Sequence, residues 1–222
     1  MTTHLGQFPP ARVLPVVLLA DCSGSMSEDG KIESLNHAIR TMIRVLAGAD
    51  DRDSEIHLAI VGIGGATAEL RNPLTPVSEF EFIPLRADGG TPTGSALELA
   101  AQLISDVGTV PANAHHPILV LVTDGYPTDD FDRALDRFEQ TELGGASIRY
   151  AMGIGADARR DHLERFASGG EAGVLGTEQV ADIDRFFRFL TRTVTSRLPS
   201  MTTGGARTES LGGFADDELP RP

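Results

Sequence analysis

Hydrophobic residues fall along the chain in two rhythms. The first is continuous. Val13-Leu14-Pro15-Val16-Val17-Leu18-Leu19-Ala20, Ile56 to Ile63 and Ile118-Leu119-Val120-Leu121-Val122 are apolar with little interruption, the mark of strands buried on both faces, and Ser147 to Ile154 predicts a further strand. The second is helical. Ile32, Leu35, Ile39, Met42, Ile43 and Leu46 form one stripe, Leu97, Ala100, Leu103, Ile104 and Val107 a second, Phe131, Leu135 and Phe138 a third, and Ile183, Phe186, Phe187, Leu190 and Val194 a last; such spacing lines one face of a helix. Asp157 to Ala167 predicts a further helix and Gly173 to Leu175 a short final strand. Pro15 has no amide hydrogen to give to a ladder, so it belongs near the start of its strand. From Glu69 to Leu85, Pro73, Pro76 and the alternation of Phe80, Phe82 and Pro84 predict a short strand, a turn and an antiparallel edge strand.

Strands alternating with helices predict an α/β fold: a mostly parallel central sheet with one antiparallel edge strand and helices on both faces, joined by right-handed crossovers. The 222 residues fit one such domain, and an apolar fraction of 41% supplies its core. The expected division is a flexible N-terminus over 1–11, the folded domain over 12–198, and a flexible acidic tail over 199–222 rich in Gly, Thr, Asp and Pro.

Charge and cysteine content narrow the function classes. A formal net charge of -13 repels phosphate backbones and anionic membranes, so nucleic acid and membrane surfaces are excluded as expected partners. The single cysteine, Cys22, forms no internal disulfide, in keeping with a reducing compartment. The first ten residues have no apolar signal-peptide core, and no apolar run approaches the ~20 residues of a membrane span. The expectation is a cytoplasmic protein.

Three short segments carry candidate chemistry. Asp21-Cys22-Ser23-Gly24-Ser25 follows the first strand, Thr91 lies in the glycine-rich loop Asp88 to Gly94 before a helix, and Asp124 ends the strand Ile118 to Thr123. Ligands of open α/β sheets collect beyond the carboxyl ends of the strands, and both aspartates fall there. Two carboxylates brought together repel, and a cation relieves the repulsion. The hydroxyls of Ser23, Ser25 and Thr91 add neutral oxygens. A donor set of hard oxygens without His or Cys suits Mg²⁺, Mn²⁺ or Ca²⁺, and few carboxylates with small hydroxyls suit Mg²⁺ most. Asp21, Ser23 and Ser25 occupy alternate positions, so an extended turn points all three the same way, with Gly24 giving the bend.

The segments DCSGSM from Asp21, GGTPTGSAL from Gly89 and LVLVTDGYPTD from Leu119 resemble, in order and placement, the metal-ion-dependent adhesion site of von Willebrand factor A (VWA) domains. The resemblance runs from about Leu14 to Thr195. It implies a three-layer Rossmann-like fold and one divalent cation, with Ser23, Ser25 and Thr91 (rather than Thr93) as direct ligands and Asp21 and Asp124 acting through water. It also implies an open position for a partner's Asp or Glu, in a protein-binding module rather than an enzyme. LPVVLLADCSGSM and GGTPTGSAL further resemble the bacterial TerY-type proteins associated with tellurite resistance and stress response, which implies a partner such as a kinase, a phosphatase or another stress-response component. An adaptor for a ring ATPase of the chelatase type is the alternative.

Other motifs read as ordinary structure. Cys22, between two candidate ligands, is expected to be buried and inert. Ser23 and Ser25 lack the Gly-x-Ser-x-Gly elbow of a serine hydrolase, and no general base is paired with them to make a metal-assisted hydrolase. Gly153 to Ala158 fits Gly-x-Gly-x-x-Ala but comes late in the chain and reads as a plain strand-to-helix turn. His115 and His116 are expected on a surface loop.

Overall fold

The computed structural model describes residues 11–49, 54–155, 157–177, 179 and 181–200. The expected N-terminal segment, apart from Ala11, and the acidic tail beyond Ser200 lie outside the described residues. Six strands form one sheet in the order β3-β2-β1-β4-β5-β6. They are β1 Arg12–Asp21, β2 Ser54–Ile63, β3 Glu69–Pro76, β4 Ile118–Thr123, β5 Ile148–Ile154 and β6 Val174–Thr177. All neighbouring pairs are parallel except β2 with β3. Among the described residues the α-helices are α1 Lys31–Leu46, α2 Thr93–Ser105, α3 Phe131–Gln140, α4 Glu142–Ala146, α5 Arg160–Phe166 and α6 Ala181–Ser200.

The continuous apolar runs are buried on both faces because helices cover both. Leu14, Val16, Leu18 and Ala20 of β1 face a core shared with Leu35, Ile39 and Met42 of α1 and with Phe186, Leu190 and Val194 of α6. Val17 and Leu19 face the other way, into a core with Leu97, Ala100 and Ile104 of α2, Leu135 and Phe138 of α3, and Leu163 and Phe166 of α5. The period-2 alternation of a strand thus divides one run between two cores.

Pro15 is the fourth residue of β1, in the starting part of the strand as expected. The ladder with β2 already includes Arg12 opposite Ser54, while pairing with β4 begins only at Val16. At the proline, therefore, a ladder runs on one side of the strand alone. Val107 is not part of the α2 stripe: the helix ends at Ser105, and Val107 is 84% exposed. Of the two strands expected between Glu69 and Leu85, the first forms β3 and the second does not form. After a 3₁₀ turn at Val77–Glu79 the chain runs irregularly, and two side-chain amides take the place of a ladder. Asn36 on α1 donates to the Leu85 carbonyl (2.9 Å) and accepts from the Leu85 amide (2.8 Å), and Asn72 on β3 donates to the Glu81 carbonyl (2.7 Å). The fixed φ of Pro84 and these clamps hold the segment that leads to Thr91.

Candidate metal centre

The strand order reverses at β1. The chain builds outward through β2 and β3 on one side and through β4, β5 and β6 on the other. The carboxyl ends of β1 and β4 border this switch point, where open α/β sheets form a crevice. Asp21 is the last residue of β1, and Asp124 follows the last residue of β4.

One hydrogen-bond chain runs through the crevice. The Thr123 hydroxyl donates to Asp21 Oδ2, and the Ser23 amide donates to Asp21 Oδ1 (2.8 Å). The Ser23 and Ser25 hydroxyls lie 3.1 Å apart, and the Ser25 hydroxyl donates to Asp124 Oδ1 (2.7 Å). Lys31 Nζ, from the first turn of α1, donates to Asp124 Oδ2 at 2.8 Å. The two serines meet through a turn and not through an extended run. Ser23 is extended, but Gly24–Ser27 is a 3₁₀ turn anchored by the buried side chain of Met26.

Thr91 reaches the same crevice on a loop fastened by backbone bonds. The Gly24 amide donates to Gly89 O (2.9 Å), Asp88 N to Cys22 O (2.8 Å), Gly65 N to Asp88 O (2.9 Å) and Gly90 N to Gly65 O (3.0 Å). Gly89 adopts φ +70, and a Cβ there would fall 2.4 Å from Gly65 Cα, so the contact requires glycine. The Thr91 hydroxyl approaches Gly125, the residue after Asp124: a Cβ placed on that glycine would lie 3.7 Å from Thr91 Oγ1. Thr93, at the start of α2, instead turns its hydroxyl to the Thr91 carbonyl (3.4 Å). Asp21, Ser23, Ser25 and Asp124 therefore share one network, with Thr91 beside it.

The electrostatics set the two carboxylates apart. Asp21 is 0% exposed. Burial raises its pKa, against hydrogen bonds from Thr123 and Ser23 that lower it, and the Asp124 charge raises it further. Asp124 is 2% exposed and has its cation in Lys31; Asp21 has no Lys, Arg or His in ion-pair contact among the described residues. A buried carboxylate held by neutral donors, next to a second one and three hydroxyls, fits a hard divalent cation by charge and by donor type. Among the described residues no cluster of three or more His, Cys, Asp or Glu side chains could hold a metal, so a nitrogen- or sulfur-rich site is not offered.

Lys31, Thr123, Thr128 and Asp129 escaped the sequence reading. Thr128 accepts from the Thr91 amide (3.1 Å), and Asp129 accepts from the amides of Gly94 and Ser95 (both 2.8 Å), fixing the start of α2. For Thr123, Thr128 and Asp129, their presence in LVTDGYPTDD was the available signal. Cys22 is buried as expected, and burial pushes its thiol up to about 11. His115 corrects the surface-loop expectation. It is buried at the opposite end of the sheet, its amide donating to Val13 O (2.8 Å) and its Nε2 lying 3.0 Å from Ser54 Oγ, while His116 is exposed. Gly153 lets α5 close on the sheet, since a Cβ there would meet Leu163 and Ala158 at 2.7 and 2.9 Å; Ala156 lies outside the described residues.

The model of the von Willebrand factor type A domain matches residues 16–187. No curated protein is similar enough to count as a relative. Among solved structures, a von Willebrand factor type A protein from Catenulispora acidiphila is 22% identical with a TM-score of 0.62, over 82% of this chain and 42% of that one. Proximal thread matrix protein 1 from the mussel byssus, with a zinc-occupied MIDAS motif, is 16% identical with a TM-score of 0.67, over 84% of this chain and 49% of that one. The pilus adhesin SpaC from Lactobacillus rhamnosus GG is 12% identical with a TM-score of 0.67, over 86% of this chain and 31% of that one. The chain thus spans less than half the length of each.

Proposed function

The chain belongs to the von Willebrand factor type A domain family, and from that premise we propose that it is a divalent-metal-dependent protein-binding module. Asp21, Ser23, Ser25, Thr91 and Asp124 would hold the ion, Mg²⁺ before Mn²⁺ or Ca²⁺ given oxygen donors alone. When bound, the ion supplies an electrophilic centre for an Asp or Glu carboxylate of a partner protein. The chain's own residues do the rest. Buried Asp21 and Asp124 supply the negative charge, the hydroxyls orient along the Ser23–Ser25–Asp124 chain, and the Gly24–Gly89 and Gly65–Asp88 backbone bonds fix the distance between loops.

The observation that carries the reading is Asp21: a wholly buried carboxylate at the switch point with hydroxyl and amide donors but no cation of its own among the described residues. The zinc-occupied motif of the mussel protein supports a divalent ion in this family. Calorimetry on metal-stripped protein with Mg²⁺, Mn²⁺ and Ca²⁺ tests it. Saturable one-site binding is expected, and its loss in an Asp21→Ala, Asp124→Ala double variant. A wild-type protein that binds none of the three sinks the reading.

The narrower setting rests on sequence resemblance. LPVVLLADCSGSM and GGTPTGSAL support a bacterial, TerY-type stress-response protein acting in the cytoplasm, with a kinase or phosphatase as partner. No helix among the described residues is long and apolar enough to cross a membrane. Metal-dependent co-purification that EDTA abolishes would identify the partner; recovery of a ring ATPase instead would favour the chelatase-type alternative.

A further inference from the structure

Lys31 is the only lysine among the 19 Lys and Arg residues of the chain. Everywhere else the protein uses arginine for its cations, including the ion pairs of Arg149, Arg159, Arg160 and Arg165. The exception is placed against the candidate metal centre. Its Nζ sits 2.8 Å from Asp124 Oδ2, with the lysine side chain 15% exposed and the aspartate side chain 0% exposed. The acidic loop Glu28-Asp29 stands next to it, and both side chains add to the charge around the ammonium.

We propose that Lys31 is a built-in counter-cation that competes with the metal for Asp124 and so keeps the affinity of the empty domain low. The proposal rests on the metal reading above. A carboxylate with one oxygen on an ammonium and the other on the Ser25 hydroxyl is already satisfied. A divalent cation drawn to the same group meets a like charge at close range, at reduced dielectric. Charge count sets how tightly such sites hold their ions, and Lys31 cancels one of the two carboxylate charges. The choice of lysine fits this use. An ammonium is a compact point charge on a flexible stem and leaves by breaking one contact, whereas a guanidinium would clamp both carboxylate oxygens. A partner's carboxylate restores the missing negative charge, so partner and metal favour each other's binding, and this coupling is reciprocal.

Calorimetry with Mg²⁺ on stripped wild type, Lys31→Met, and Lys31→Met combined with Asp124→Ala tests this, with thermal melts to confirm folding. Lys31→Met is expected to bind Mg²⁺ about tenfold or more tightly than wild type, with the gain lost when Asp124 is also replaced. A lysine that served only to brace the loop would give the opposite sign, because its loss would loosen the site. Wild-type binding with equal or weaker binding by Lys31→Met overturns the inference and leaves the metal reading standing; no binding by either overturns both. Binding of Mg²⁺ by Lys31→Met but not by wild type supports the inference, and the metal reading then stands or falls on wild-type binding of Mn²⁺ or Ca²⁺. Should the variant not fold, the single lysine supplies a second readout in wild type. Reductive ¹³C-methylation gives one ε-amine resonance, which is expected to move toward its solvent value on saturation with Mg²⁺; a resonance that stays put at saturation overturns the inference.

Discussion

His115 shows how one residue's role depends on what the fold closes over it. In the sequence it is half of a His-His pair before Pro117. In the fold, the hydrogen bond from its backbone amide to the Val13 carbonyl draws it to the end of the sheet opposite the crevice, where its ring meets Ser54. Burial, then the nearby charges of Arg12 and His116, lower its pKa to about 4 from an ordinary 6.5. The folded state therefore holds the neutral ring, while the unfolded chain takes up its proton near 6.5. The stability this supplies is fully present above the unfolded value and is lost as pH falls from there toward the folded one, by up to about 3 kcal/mol. Denaturant melts at pH 7 and 4.5 check this: wild type should lose about 2 kcal/mol more than His115→Gln over that interval, and equal losses would remove His115 as the cause. The meeting of Asp21, Ser23, Ser25 and Asp124 at one crevice, by contrast, was legible residue by residue. These residues sit in short linear motifs at strand ends, where side chains must face the crevice. Lys31 was not, because it reaches Asp124 from the following helix and no local spacing reports that.

At the scale of elements, the sequence was most legible where burial is total. The strands β1, β2, β4 and β5 and the stripes of α1, α3 and α6 follow from apolar periodicity alone. It was least legible from Phe80 to Gly90, where alternation suggests a strand but side chains from distant elements hold the backbone. Asn36 holds it through two bonds to Leu85, and Asn72 through bonds to Glu81 and Ile83. Asn36→Ala strands a buried amide and a buried carbonyl together, so a loss of about 2–4 kcal/mol is expected in urea melts; a loss within experimental error would mean water replaces the clamp. Gly89 acts on the site itself. Its φ of +70 and the 2.4 Å approach of a Cβ to Gly65 leave no room for alanine. Gly89→Ala is expected to move the loop that carries Thr91 and to abolish Mg²⁺ binding in calorimetry while circular dichroism still reports the α/β fold. Retained binding would show that Thr91 is dispensable.

Over the whole molecule, the sign of the charge works against the proposed recognition. The net charge of -13 concentrates cations at the surface, yet it repels a partner that presents Asp or Glu. The two steps therefore carry opposite responses to salt. The domain's field assists metal loading, so Mg²⁺ affinity should fall as NaCl rises. Approach of an acidic ligand to the loaded domain is slowed by the same field, so its association rate should rise over that range. The relevant scale is the Debye length, which shrinks from ~30 Å at 0.01 M salt to ~8 Å at 0.15 M; once screened, the distant charges no longer oppose the contact made at the centre. Stopped-flow binding of a Glu-containing acidic peptide to Mg²⁺-saturated protein, at both salt concentrations, measures this. A rate that increases several-fold with salt, and is absent in EDTA, is the expected result. A rate that falls with salt would mean that the peptide is steered by basic groups elsewhere on the surface rather than captured at Asp21 and Asp124, and the partner's contact would have to be sought beyond the metal centre.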